Sequence, residues 1–389
     1  MIEFKQSYLK DLVEIQRGHD LPQQKRIIGE IPVIGSNGVV GYHNESKGVV
    51  PGLTIGRSGS IGNLNFLEKP YFPLNTTLYV TDFKGNDERF VYYLFKNFNF
   101  SSFDSGTVQP SLNRNYLYKA QIKYPDVDEQ KAIANILGTL DDKIELNQKM
   151  NQTLEDIAKA IFKSWFIDFD PVRAKAESKP TGLPQEISDL FPDSFEDSEL
   201  GDMPDGWRVE KLENIVKIQY GKNLPTNKLT EEGYSVFGGN GIIGSYSKYL
   251  YEDAMTLVAC RGAASGKVSS SLPQSFVTNN SLVMNHIVTE FPSQKFLEYY
   301  LKYIDPVKFT TGSAQPQITI EGIKDCKLLI SPNNLIEKYE IFISVFLKKI
   351  LTNQNEIETL TNLRETLLPK LISGEIRIRD AEKTIGEVL

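Results

Sequence analysis

Four polar side chains occur twice in this chain at almost constant spacing: Asn37 and Asn240, Arg57 and Arg261, Asn75 and Asn279, and Gln109 and Gln315. Asn and Gln can engage an adenine edge with two hydrogen bonds, and Arg can engage guanine or hold a phosphate, so this set of types suits nucleic acid. The same residues have a structural alternative. Asn37 and Asn240 would serve tight turns, while Gln109-Pro110 and Gln315-Pro316 would cap loops against a sheet. Residues shared by two copies are poorly suited to reading two different sequences, so the shared set is expected to shape loops or hold backbone. Unshared neighbours are then the expected readers: Lys25, Arg26, Ser58 and Arg114 in the first half, with Arg17 beside them, and Lys222, Lys228 and Gln317 in the second.

Catalytic chemistry finds little support. Gly239-x-Gly241-x-x-Gly244 matches a dinucleotide fingerprint, but "SYSKYLYED" follows where a helix would have to face the phosphate, and the first half has Ser36 for the first glycine. Pro125-Asp126 with Glu129-Gln130-Lys131 imitates a metal-dependent nuclease. Such an enzyme needs carboxylates and a lysine converging from neighbouring strands, whereas these lie within one short stretch at a helix start, where acids cap. His19, His43 and His286 are scattered singly, Cys260 and Cys326 form no CxxC pair, and there is no Walker A string. The chain reads as non-catalytic, with no metal or cofactor of its own.

The recurring residues belong to a duplication. "EIQRGHDLP" at 14–22 aligns with "KIQYGKNLP" at 217–225, and "IGSNGVVGYH" at 34–43 with "FGGNGIIGSY" at 237–246, both 203 residues apart. "RSGSIG" meets "RGAASG" and "NTTL" meets "NNSL" at an offset of 204, and "GTVQPSLN" meets "GSAQPQIT" at 206. Order and offset are both kept, as a repeated domain requires.

Each copy opens with a β-rich stretch of short apolar runs broken by Gly, Asn and Pro, and contains one amphipathic helical segment, "FVYYLFKNF" or "KFLEYYLKYI". A long helix follows. Ile133, Leu137, Leu140, Ile144, Asn147, Asn151, Leu154, Ala158, Ile161 and Trp165 alternate four and three apart, a coiled-coil seam. At an offset of 206 the seam recurs as Tyr339, Ile343, Phe346, Ile350, Asn353, Ile357, Leu360, Arg364, Leu367 and Leu371. A helix from Asp128 to Ile167 would be roughly 60 Å long. The expected organisation is a first recognition domain at 1–125, a first helix at 126–178, an acidic Pro/Gly linker at 179–205, a second domain at 206–330, a second helix at 331–378 and a tail at 379–389.

The 389 residues carry a net charge of −7, yet both β-rich stretches are basic: 14 Lys and Arg against 11 acids at 1–125, and 13 against 11 at 206–330. Residues 181–205 hold eight acids and no base. Two positive patches in an acidic frame permit two separate contacts with phosphate. Few cysteines point to a reducing, cytoplasmic setting, and no apolar run suits a membrane span.

Together with the duplication, "GTVQPSLN" leading to "PDVDEQKAIANILGTLDDKIELNQK", then "SWFIDFDPVRAKAE", "GDMPDGWRVEKL" and "LLPKLISGEIRI", resembles the specificity (S) subunit of type I restriction-modification enzymes. That resemblance implies an α+β chain with two duplicated β-rich target-recognition domains separated by two long antiparallel coiled-coil helices. Each domain would read one half of a bipartite, asymmetric double-stranded DNA target. The helix pair would set the spacing and dock two methyltransferase (M) subunits, which restriction/translocase (R) subunits join. S-adenosylmethionine, Mg and ATP would belong to those partners, and this chain would not itself be an enzyme. Two departures stand out: the first domain has no counterpart of Gly206-Trp207, and the second helix has Glu337-Lys338 for Glu129-Gln130. Duplication and coiled coil alone would also suit a two-headed scaffold for protein or glycan.

Overall fold

The computed structural model describes residues 4–103, 111–286, 293–312 and 315–388. The chain forms two compact units, one of residues 1–150 and 352–389, the other of residues 151–351.

The duplication holds strand by strand. In unit 1, Lys5–Tyr8 pairs with Gln121–Tyr124. A four-stranded antiparallel sheet runs in the order Glu14–Arg17, Thr77–Asp82, Gly52–Gly56, Leu64–Leu67. A three-stranded sheet holds Gly38–His43, Ile31–Gly35 and Phe72–Pro73, the last two parallel. Unit 2 repeats all three: Arg208–Lys211 with Lys327–Ile330; Val216–Tyr220, Ser281–His286, Thr256–Ala259, Val268–Ser270; and Gly241–Tyr246, Tyr234–Gly238, Phe276–Val277. One glycine per copy makes the crossing between sheets possible. A β-carbon on Gly18 would lie 2.1 Å from Leu74 O, and one on Gly221 2.2 Å from Thr278 O, so no side chain fits either position.

The helical segment of each copy packs its apolar stripe into the core. Glu88–Lys96 is capped by Asp87, whose Oδ1 accepts from Phe90 N at 2.8 Å, and it buries Phe90, Val91, Leu94 and Phe95. Gln294–Ile304 is capped by Ser293 and buries Phe296, Leu297, Tyr300 and Leu301.

The two long helices are Val127–Phe166 and Asn333–Ser373, of 40 and 41 residues. In unit 1 they run antiparallel: Asp141 reaches Arg364 Nη1 at 2.5 Å, and further along, Lys143 and Asn147 both reach Glu356. Leu140, Ile144, Asn147, Asn353, Leu360 and Leu367 are buried there. In unit 2, Tyr339 Oη donates to Ala158 O at 3.1 Å and the Trp165 ring meets Tyr339 edge-on at 5.8 Å. Leu154, Ile161, Phe346 and Ile350 are half-buried around them. No seam position is exposed.

Two features differ from expectation, and a third, the start of the second long helix, follows the departure noted at Glu337-Lys338. The expected tail at 379–389 is not a tail over its described residues, because Ile378–Val388 is a helix with Ala381 fully buried and Ile378 and Ile385 against the unit 1 core. Their helical spacing makes one apolar stripe, which the surrounding charges obscure in the sequence. The acidic stretch 179–205 is likewise folded. It carries the helical turn Gln185–Ser188 and a hairpin of Phe195–Ser198 with Gly201–Pro204, and it buries Phe191 and Met203 in the unit 2 core. Finally, the two long helices begin differently. Gln130 is buried, donates from Nε2 to Asn86 Oδ1 and Pro125 O, both at 2.9 Å, and accepts Asp87 N at 3.0 Å. Ile336, at the seam offset from it, is buried among apolar groups.

Candidate nucleic-acid interface

In each copy the loops that carry the recurring polar residues are tied together by main-chain groups. In the first copy the amides of Arg57 and Ser58 both donate to Thr76 O, at 2.9 and 3.2 Å, and Ser36 Oγ donates to the same carbonyl. Leu112 N donates to Arg57 O and Asn75 N to His19 O, both at 2.9 Å. The Asn37 turn and the loops around residues 19, 57, 75 and 111 are therefore one surface. The second copy builds the same surface with Thr278 N donating to Phe237 O at 2.8 Å, Cys260 N to Asn280 O at 2.9 Å, Gly262 N to Pro316 O at 2.9 Å and Ile318 N to Cys260 O at 3.0 Å.

Charge gathers on the first surface. Arg17, Arg57 and Arg114, with Gln16, Ser111 and Asn113, line a cavity of about 480 Å³. Arg17 Nε and Arg57 Nη1 each donate to Asn75 O at 3.3 Å, and Arg114 Nη1 donates to Ile15 O at 3.3 Å. Asp20 is the nearby counter-charge, 3.9 Å from Arg17 Nη2 and bonded to Asn75 Nδ2. Burial, and secondarily the Arg17 charge, hold the Arg57 guanidinium below its ordinary pKa. A partly desolvated guanidinium cluster is eased by an incoming anion or by the acceptor edge of guanine, which the Arg fork fits.

The second surface is more open. Arg261 is exposed, its backbone bridges to Gln317, and its guanidinium makes no hydrogen bond or ion pair with a described residue. Lys267 Nζ donates to Asn240 Oδ1 at 3.0 Å, and Lys222 and Lys228 are exposed.

The expected site residues do not all come together. Arg17, Arg57, Arg114 and Ser58 share the first surface; Arg261, Gln315 and Gln317 share the second, with Gln317 paired through its backbone to Thr311. Asn75 and Asn279 serve structure as well: the Asn75 amide is engaged by Asp20, and Asn279 O accepts Cys260 Sγ at 3.6 Å. Lys25 is exposed, but its neighbour Arg26 is committed elsewhere. Arg26 Nη1 donates to Val40 O at 2.7 Å, in a space that a β-carbon on Gly41 would occupy. Gln109 lies outside the described residues. Sequence reasoning passed over Gln16, Ser111, Asn113 and Lys267. Gln16 had a legible signal, since it recurs as Gln219 within the duplicated "IQ".

Two copies of one loop-built, arginine-bearing module define a paired recognition protein. Residues 1–156 and 204–366 match the family model described as type I restriction modification DNA specificity domain, and the chain belongs to that family. It is 27% identical over 321 residues to the MjaIX type I restriction enzyme specificity subunit of Methanocaldococcus jannaschii, covering 76% of this chain and 71% of that one. It is 28% identical over 341 residues to the HindI specificity subunit of Haemophilus influenzae, covering 70% and 72%. Its fold is similar to the crystal structure of the type I restriction-modification S subunit from M. genitalium, with a TM-score of 0.62 at 18% identity, covering 95% of this chain and 96% of that one. Membership implies a recognition role and not a catalytic one. Among the described residues, no helix is long and apolar enough to cross a membrane.

Proposed function

We propose that this chain selects the DNA sequence on which a type I restriction-modification complex acts, each loop surface reading one half of a bipartite, asymmetric target. The observation that carries this reading is the repetition of one surface with different unshared residues: Arg17 and Arg114 around Arg57 in the first copy, and Gln317 beside Arg261 in the second. A common frame with different readers is what two different half-sites call for. The long helices, roughly 60 Å each, would fix the spacer between half-sites and offer the docking surface for two methyltransferase subunits. Methyl transfer from S-adenosylmethionine, and Mg- and ATP-dependent work by restriction subunits, would lie on those partners, in the cytoplasm.

The test is duplex binding by the full chain as salt is varied. Binding through several phosphates falls steeply with salt, log K against log [salt] sloping by about −0.9 per phosphate neutralised. Affinity that stays flat to high salt would favour a protein- or glycan-binding scaffold. Sequencing the methylated motif of the source cell would give both half-sites and the spacer.

A further inference from the structure

Charge does not account for the hairpin that carries each Asn turn. Its inner strand is anchored, with Val33 and Ile34 buried in the first copy and Val236 and Phe237 in the second. Its outer strand, Gly38–His43 or Gly241–Tyr246, is the edge of the three-stranded sheet. There Val39 and Val40 are 56% and 45% exposed, and Ile242 and Ile243 are 58% and 44% exposed. The pairing shifts register within this stretch, between Pro32 and Ile34 in the first copy and between Val236 and Phe237 in the second, so each apolar pair sits at an irregularity of the ribbon and stays open to solvent. The second residue of each pair lies across a glycine: a β-carbon on Gly35 would be 3.0 Å from Val40 Cγ1, and one on Gly238 3.0 Å from Ile243 Cγ2. The two copies thus present an apolar pair in one pose, although the side chains differ.

An uncovered β-branched pair on an edge strand invites unwanted association, so its presence twice in one place calls for a contact that uses it. The contact is located by continuity. Ser36 Oγ, at the base of the first turn, bonds the same Thr76 carbonyl that fixes Arg57 and Ser58, and Lys267 bonds Asn240 in the second turn. Each apolar pair therefore borders the surface assigned above to DNA. Phosphates offer an apolar group nothing, whereas the major groove admits a two-stranded ribbon and displays the thymine methyl group.

We propose that Val39–Val40 and Ile242–Ile243 are base-reading elements, each hairpin entering the major groove so that its apolar pair lies against thymine methyl groups of its own half-site. This rests on the DNA-reading function. Valine in one copy and the longer isoleucine in the other would place the contacted methyl at different depths, giving the two modules different preferences from one frame.

The test uses the full chain and duplexes selected by it from a randomised pool, each compared with a counterpart in which uracil replaces thymine and only the methyl group is lost. Wild type should lose about fourfold in affinity for each contacted methyl. Val39→Ser/Val40→Ser should abolish that sensitivity in the first half-site alone, and Ile242→Ser/Ile243→Ser in the second alone, with the salt dependence unchanged. Val39→Thr/Val40→Thr keeps the β-branching, and should weaken the discrimination while preserving the unfolding temperature. Variants that still prefer thymine would overturn the proposal, as would variants that keep their base preference but no longer co-purify with a methyltransferase subunit. Absence of salt-sensitive duplex binding by wild type would overturn the DNA reading itself, and this proposal with it.

Discussion

Asn147 Nδ2 donates a 3.0 Å hydrogen bond to Glu356 Oε2, joining the two long helices across 209 residues of sequence. The other carboxylate oxygen of Glu356 takes Lys143 Nζ at 3.3 Å. Asn147 is 1% exposed and has Ile144 as a seam neighbour, so a slip along the helices would remove its partner and leave a polar group among apolar ones. Asn353, its equivalent in the second helix, is also fully buried.

Replacing both asparagines with leucine should therefore separate stability from register. The double variant is expected to gain about 1 kcal/mol, or roughly 2–4 °C in Tm, while losing its single alignment. Cysteines placed at 141 and 364 would report this: efficient cross-linking with the asparagines present, and a mixed pattern without them. A double variant of lower Tm would mean the amides contribute more to stability than to specificity.

The arginines should divide by role. Arg57→Ala is expected to weaken duplex binding and reduce the salt slope by about one unit, because that guanidinium faces the cavity. Arg26→Ala should leave the salt slope unchanged and loosen the hairpin, since its guanidinium is spent on Val40 O. Arg261→Ala should weaken binding through the second module without altering the bases preferred by the first. Binding-site selection with each variant is the measurement, and altered preference in both halves for Arg261→Ala would show the modules to be coupled.

Reciprocal substitutions at the helix starts should both be harmful, for opposite reasons. Gln130→Ile strips partners from Asn86, Pro125 O and Asp87 N, and is expected to cost about 2–3 kcal/mol. Ile336→Gln places an amide where apolar side chains surround it, with a similar loss. Denaturant unfolding of each variant would show whether either site tolerates its counterpart's residue.

Glu298 provides a pH signature. Burial alone would push its pKa up, but Lys295 at 3.0 Å, Lys302 and the Ser270 hydroxyl outweigh burial and hold it below the ordinary carboxylate value. A carboxyl whose folded pKa is depressed contributes stability above its unfolded pKa and loses it as pH falls through the folded one. Glu298→Gln should therefore cost about 2 kcal/mol at neutral pH, and the gap from wild type should close as pH falls below 4.5, the ordinary value for a free Glu. A gap that is constant with pH would assign the loss to packing.

The duplicated architecture and the seam were legible because both are periodic: a repeat shows itself at a fixed offset and a coiled coil at a fixed spacing. Of the site, Arg17, Arg57 and Arg114 could be named from residue type and position in the repeat, but not their convergence, which depends on sheet crossings far apart in sequence. The bond from Arg26 to Val40 O was not legible either, because the room for its guanidinium comes from Gly41, a residue with no side chain to signal it. The final helix and the acidic stretch were misread for a related reason. Phe191, Met203 and Ala381 are buried one at a time between charges, and composition averages such residues away.

Unit 1 is assembled from two pieces of sequence, with the whole of unit 2 written between them. Leu360, Leu363, Leu367, Leu371 and Ala381 complete a core that begins at Leu9. On the ribosome, the module translated first therefore finishes last: it waits with part of its apolar surface uncovered until some two hundred further residues have been made, while unit 2 closes as soon as residue 351 is free. A message cut short near its 3′ end would spare the later-made module and cripple the earlier one.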